Sequence, residues 1–277
     1  MEKRLREILL KTQRHLLLER RGEHLSRFAG EGLDFRELRP YTLDDDIRHL
    51  NWRSMARSRQ PAVNVFNESR QINVVRVYLN SGGLAIGRPR SKGDLAAEIL
   101  AALGFAALLG EDPTGALFFD RELRAWSAPS RERFAIERDD AFARSLDPAG
   151  RSVDYGALIP ALLGRLKRRS VLYLIGDFMQ PADLAPLALR HEVNVLIVRD
   201  RLDEELPEGE YSVVDAGSGR RRELLLDKAT RRRYRRIVRE HDATLAEAFR
   251  RRRIRWEKIY THEEAIGKLI RFTRRRG

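Results

Sequence analysis

Apolar stretches rich in β-branched residues alternate with amphipathic stretches at helical spacing through most of this chain, and that alternation restricts the fold more than any single residue does. Asn73 to Leu79 is rich in Val and reads as a strand buried on both faces. Ser91-x-x-Asp94 then opens a helix whose Leu95, Ile99, Leu103 and Ala106 line one side, and Ala116 to Phe119 follows as a short apolar strand. Asp154 to Arg168 has helical periodicity, Val171 to Ile175 strand composition, Pro181 to Arg190 helical spacing and Val193 to Val198 strand composition again. A helix from about Lys228, a strand over Ile254 to Ile259 and a last helix capped by Thr261-x-x-Glu264 complete the series, with Arg131 to Phe142 as a weaker helical stretch. Such alternation predicts an α/β fold of Rossmann-like type, a mostly parallel central sheet with helices on both faces.

The N-terminal part has a different texture. Residues 3–20 carry Leu5, Ile8, Leu9, Leu16 and Leu17 at three-to-four spacing, an amphipathic helix that Gly22 ends. A second helix is expected near Thr42, where Thr42-x-x-Asp45 has the form of a capping box, and Ala62 to Phe66 has strand composition. Between them, Gly32 to Arg57 packs Arg39, Arg48 and Arg57 with Asp44, Asp45 and Asp46 around Phe35, Tyr41 and Trp52, which suits a fixed ion-pair network beside buried rings. The expected division is therefore an N-terminal helical and β extension over 1–70 and an α/β domain over 71–277.

Composition excludes several chemistries. The 277 residues contain no cysteine, so disulfides, thiol nucleophiles and thiolate metal sites are absent, and the six histidines nowhere stand at the spacing of a histidine metal site. No apolar run exceeds Ile99 to Gly110, about half of the roughly 20 residues that a membrane span needs, and charges interrupt the N-terminus before any secretory core forms. The expectation is a cytoplasmic protein without a membrane span. The net charge of +13 invites a nucleic-acid partner, but residues 220–277 hold 21 Lys and Arg against 8 Asp and Glu and so carry the entire excess. On the helix from Lys228, Tyr234, Ile237, Val238, Leu245 and Phe249 mark an inner side, which leaves Arg231, Arg232, Arg235, Arg236 and Arg239 largely outward as a basic patch.

In an open parallel sheet a ligand crevice lies at the carboxyl ends of the strands, where strand order reverses. The first central strand ends in Asn80-Ser81-Gly82-Gly83, and later strands end in Gly176-Asp177 and Arg199-Asp200, with Asp154 opening a helix nearby. The turn after the first strand, Ser91-Lys92-Gly93-Asp94 and the strand into Asp177 resemble a von Willebrand factor A-type domain. Phe35-x-x-Leu38-Arg39-x-Tyr41, Asp45-Asp46-x-Arg48, Asn51-Trp52 and Ala56-Arg57 are similar to the signature of the bacterial DUF58 family, a likeness that extends from about Gly32 to the end.

The A-type resemblance implies a site in which an Asp-x-Ser-x-Ser turn, a Thr and a later Asp hold Mg²⁺ through oxygen. This chain departs from it: Asn80 stands for the first Asp, Gly82 and Gly83 supply no hydroxyl, Val153 sits near the Thr position, and only Ser81 and Asp177 keep ligand character. The expectation is a degenerate site with neither metal nor cofactor. The DUF58 resemblance implies a non-enzymatic adaptor that partners a MoxR-type AAA+ ATPase and presents an A-type domain to a client protein. In that reading Arg39, Tyr41, Asp45, Asp46, Arg48, Asn51, Trp52 and Arg57 either clamp the N-terminal segment or form a docking face. The alternative is binding of nucleic acid or another anionic surface through Arg231, Arg232, Arg235 and Arg236. Catalysis is not expected: no histidine is tied by sequence to Ser81, and no Gly-x-x-x-x-Gly-Lys loop is present.

Overall fold

A computed structural model describes residues 34–42, 51, 52, 54, 55, 61–67, 72–214 and 220–274. The chain divides into two compact units, one spanning Arg20–Gln71 and the other Ile72–Gly277. The helix expected over residues 3–20 lies outside the described residues, as do Asp45, Asp46, Arg48 and Arg57.

In the first unit, strand β1 (Asp34–Pro40) pairs antiparallel with β2 (Ala62–Asn67), from Asp34 opposite Asn67 to Pro40 opposite Ala62, with a register irregularity between Phe35 and Glu37. The charge-rich β1 has no strand pattern of its own; its backbone is recruited by the Val-rich β2. The Asn51 side chain accepts from the Ser54 amide at 2.9 Å, and the Met55 amide donates to the Asn51 carbonyl at 3.0 Å. Asn51 thus caps a helical turn, while the helix start expected near Thr42 falls on residues 43–50, outside the described residues.

The second unit is built on a six-stranded sheet of β3 (Asn73–Leu79), β4 (Thr114–Phe119), β5 (Leu123–Ser130), β6 (Ser170–Gly176), β7 (Glu192–Arg199) and β10 (Arg255–Tyr260). The order across the sheet is β10-β7-β6-β3-β4-β5, with all neighbours parallel except β4 and β5. The chain leaves β3 toward β4 and later returns to its other side as β6, so strand order reverses between β3 and β6. Helices cover both faces, as the alternation predicts. On one face α1 (Lys92–Leu109), α2 (Arg133–Ser145) and α7 (Ala265–Arg274) pack with Tyr78, Phe118, Ile175 and Val198. On the other, α3 (Tyr155–Arg165), the single turn α4 (Ala185–Ala188) and α6 (Lys228–Arg251) pack with Val75, Val77, Leu79 and Leu174. The period-two facing of β3 sends Val75, Val77 and Leu79 to one core and Arg76 and Tyr78 to the other.

Several elements depart from the sequence reading. Edge strand β5 was not expected, since LRAWSAPS lacks alternation; its Pro129 needs no ladder donor at an edge. Gly115 makes the pairing possible where the register shifts, because a Cβ there would lie 2.5 Å from the Ser127 carbonyl. The stretch from Glu204 to Gly219, read from sequence as a long loop or hairpin, opens into a hairpin of β8 (Gly209–Val214) and β9 (Arg221–Leu226), separated from the main sheet's ladder. A single-turn helix α5 (Arg201–Glu204) precedes it. Glu264, not Thr261, caps α7, accepting from the Gly267 amide at 2.7 Å, while Thr261 is drawn to the strand ends.

Candidate functional site at the carboxyl ends of the strands

The turn after β3 is a short 3-10 helix, Gly82–Ala85, that directs Ser81 and Gly83 over the mouth between β3 and β6. Gly176 lets the two strands close there, since a Cβ on it would lie 2.9 Å from Leu79 Cβ. Asp177 follows at once. Its carbonyl accepts from Arg199 Nη1 and its Oδ1 accepts from the Met179 amide at 3.4 Å. Phe178 adopts φ 49°, a left-handed conformation uncommon for a non-glycine residue, with its buried ring stacked on Tyr155 at 5.9 Å and edge-on to Phe249 at 6.2 Å. His241 Nε2 is 2.8 Å from the Phe178 carbonyl. Burial, and after it the Asp177 charge, pushes the Tyr155 hydroxyl far above its ordinary pKa and keeps it a neutral phenol.

The floor of the crevice is a lysine. Lys92, at the first position of α1, is 1% exposed, and its ammonium donates to both oxygens of Asp203 at 2.8 and 2.9 Å. Asp203 also accepts from the Asp200 amide at 2.8 Å, and Asp200 accepts from the Leu202 and Arg88 amides and from Thr261 Oγ1. Burial raises the Asp200 carboxyl, but these hydrogen bonds and the Lys92 charge outweigh it and hold Asp200 below the usual carboxylate range. A cavity of about 270 Å³ opens above Lys92, bounded by Ser81, Gly83, Val153, Asp177 and Asp203, with Ile86 and Met179 exposed at its rim. Asp154 is instead an exposed N-cap that accepts from the Ala157 amide at 3.1 Å.

The donor set does not fit Mg²⁺. A hard divalent ion requires several converging oxygens, and this turn offers one hydroxyl, Ser81 Oγ, and one carboxylate, Asp177, with an ammonium beside them. Asn80 is buried with its amide donating to the Asp147 carbonyl at 3.3 Å, and neither Asn80 Oδ1 nor Ser81 Oγ has a hydrogen-bond partner among the described residues. Among the described residues no three His, Asp or Glu side chains cluster as metal ligands.

Residues 37–244 match the family described as protein of unknown function DUF58. The chain belongs to DUF58. The uncharacterized protein Rv1480 of Mycobacterium tuberculosis is 30% identical over 92% of this chain and 84% of its own length, and Mb1516 of Mycobacterium bovis matches equally. Among solved structures, the conserved hypothetical protein BatB of Bacteroides thetaiotaomicron is similar at 12% identity and TM-score 0.44, over 73% of this chain and 97% of its own. The SpRpn10 VWA domain is similar at 9% identity and TM-score 0.38, over 72% and 94%. These distant likenesses add nothing to the topology already described.

The DUF58 signature residues are only partly visible. Arg39 is half-buried, with Nη1 3.5 Å from the Pro40 carbonyl and from Thr42 Oγ1, and Tyr41 is half-buried. Trp52 is 63% exposed, which corrects the expectation of a buried ring, and Asn51 serves as the cap described above.

The basic patch of this DUF58 protein is also smaller than its sequence suggests. Arg231 donates to the Leu206 carbonyl and pairs with Glu208 at 3.1 Å, and Arg235 pairs with Glu205, so both face the segment after α5. Arg232 and Arg236 are exposed, and Ile237, expected inside, is 52% exposed. Lys92 and Asp203 were missed by sequence reasoning. The available signal was a lysine in the first turn of an otherwise apolar helix, opposed to the helix dipole.

Proposed function

We propose that this DUF58 protein is a non-enzymatic adaptor whose A-type domain partners a MoxR-type AAA+ ATPase in the cytoplasm, in the assembly or maturation of a client protein. The observation that carries the reading is the strand-end crevice. Lys92, Asp203, Asp200 and Thr261 are tied to one another within it, while its rim exposes Ile86 at 43% and Met179 at 40%. Locked polar groups with an apolar rim suit capture of a protein segment, because methionine adapts to varied partners. Ser81 is a buried hydroxyl in the cavity wall, and it lacks the adjacent base that would activate it as a nucleophile among the described residues.

The test is co-expression with the AAA+ ATPase. The complex is expected to co-purify and to change the ATPase rate, and Ile86→Asp with Met179→Asp is expected to abolish both effects. No complex and no change in rate would overturn the adaptor. A second reading, binding of an anionic polymer, draws support from Arg232, Arg233, Arg236 and Arg239, which are exposed along α6. It requires steep loss of affinity with salt and abolition by Arg232→Glu with Arg236→Glu.

A further inference from the structure

We propose that the Lys92 ammonium stands in the place of a divalent cation, as the resident counter-charge of Asp203 beside Asp177, so that this crevice works without metal. The idea goes beyond the adaptor reading and does not depend on which partner docks. A lysine at the first position of a helix opposes the helix dipole, and burying its ammonium is costly unless a carboxylate answers it. Lys92 meets both penalties at 1% exposure. Neither is required by packing, since α1 otherwise buries mainly Ala and Leu.

The geometry around the ammonium shows what answers it. Asp203 grips it with both oxygens, at 2.8 and 2.9 Å. A Cβ on Gly83 would lie 2.0 Å from Asp177 Oδ2 and 3.6 Å from Lys92 Nζ, so the Asp177 carboxylate stands near the ammonium across a point that only glycine leaves open. Ser81 Oγ, buried and unpartnered among the described residues, lines the same cavity. One carboxylate therefore grips a fixed single positive charge, and a second carboxylate and a hydroxyl line the same cavity, where a removable double charge could otherwise sit. A divalent ion entering this cavity meets the repulsion of Lys92 and finds Asp203 already engaged. Removing the ammonium leaves Asp203 uncompensated in a cavity that Asp177 also lines, the condition that creates cation affinity.

The experiment uses the full chain, with MgCl₂ and MnCl₂ as the probes and EDTA as the reference. The wild type is expected to show no saturable heat and no change in melting midpoint up to about 10 mM of either ion, above the weakest range of protein calcium sites. Lys92→Ser, which removes the charge and adds an oxygen, is expected to melt lower in EDTA and to be raised by about 5 °C by MnCl₂. Lys92→Arg keeps the charge and is expected to remain indifferent to metal. Adding Asp177→Asn to Lys92→Ser is expected to cancel the response. If Lys92→Ser fails to fold, refolding from urea with and without MnCl₂ decides: recovery only with the ion supports the proposal, and recovery in neither overturns it. Saturable divalent binding by the wild type overturns it too. So does a Lys92→Ser response no larger than that of the wild type, or one that survives Asp177→Asn.

Discussion

Two buried cations, one on the central sheet and one at its strand ends, sit in opposite circumstances. Arg76, in the middle of β3, is fully buried, and its guanidinium donates to Thr114 Oγ1 at 3.1 Å, the Gly115 carbonyl at 3.2 Å, the Leu100 carbonyl at 3.2 Å and Asp139 at 2.7 Å. Those partners come from α1, β4 and α2, so the side chain ties three elements to the strand. Lys92, at the strand ends, has one acidic partner in direct contact and faces a cavity with an unpartnered hydroxyl. A charge satisfied on every side is architecture; a charge satisfied on one side, with space on the other, marks a place where something binds.

The sharpest way to break this contrast is Asp139→Ala. It leaves the Arg76 guanidinium buried without its carboxylate and is expected to cost about 3–5 kcal/mol, read by urea denaturation. Arg76→Met with Asp139→Leu, which removes both charges, should recover most of that loss. A cost below about 1 kcal/mol for Asp139→Ala would show that Arg76 is not the tie described. Next in size is Gly83→Ala, whose new Cβ would lie 2.0 Å from Asp177 Oδ2. Overpacking of this kind costs about 1–3 kcal/mol, and the loss should shrink when Asp177→Ala is added.

Acid should separate the two regions further. Asp200 and Asp242 are held below the ordinary carboxylate pKa: burial opposes this in both, and hydrogen bonds from Thr261 to Asp200 and from Lys258 and Arg199 to Asp242 overcome it. Depressed carboxylates contribute stability that is present above the unfolded value of about 4 and lost as pH falls through the folded value. Denaturation curves between pH 6 and pH 2 should show that loss, and Asp200→Asn should flatten it. A smaller slope comes from His191, which accepts from the Ser170 amide at 3.3 Å and whose pKa is lowered by burial, then by Arg190 and Arg169. Its contribution is present above about pH 6.5 and lost as pH falls below that, so His191→Gln should remove the change between pH 7 and pH 5. Smallest is Arg232→Glu with Arg236→Glu, which should leave the melting midpoint unmoved because both side chains are exposed.

The readable part of the fold is the part buried on both faces. The strands at 73–79, 114–119, 170–176 and 192–199 announce themselves because their predominantly apolar runs suit a sheet buried on both faces. β1 and β5 escape notice because they are charged or lie at an edge, where pairing partners rather than composition decide the state. At the site, the strand-end rule placed Ser81 and Asp177 at the cavity. Lys92 and Asp203 could not be paired in advance, since 111 residues separate them and a one-turn helix aims Asp203. Arg231 and Arg235 are misread for a related reason: helical spacing sorts apolar from polar faces, but it cannot tell solvent from the glutamates of a neighbouring loop.

The basic helix α6 has a second office on its inner side. Asp242 holds Arg199, which reaches the Asp177 carbonyl; His241 meets the Phe178 carbonyl; and Phe249 abuts the Phe178 ring in its left-handed turn. The segment that carries the whole charge excess of the chain is thus also the bracket on which one wall of the crevice hangs. A load applied to the outer arginines is borne, two contacts later, by Asp177.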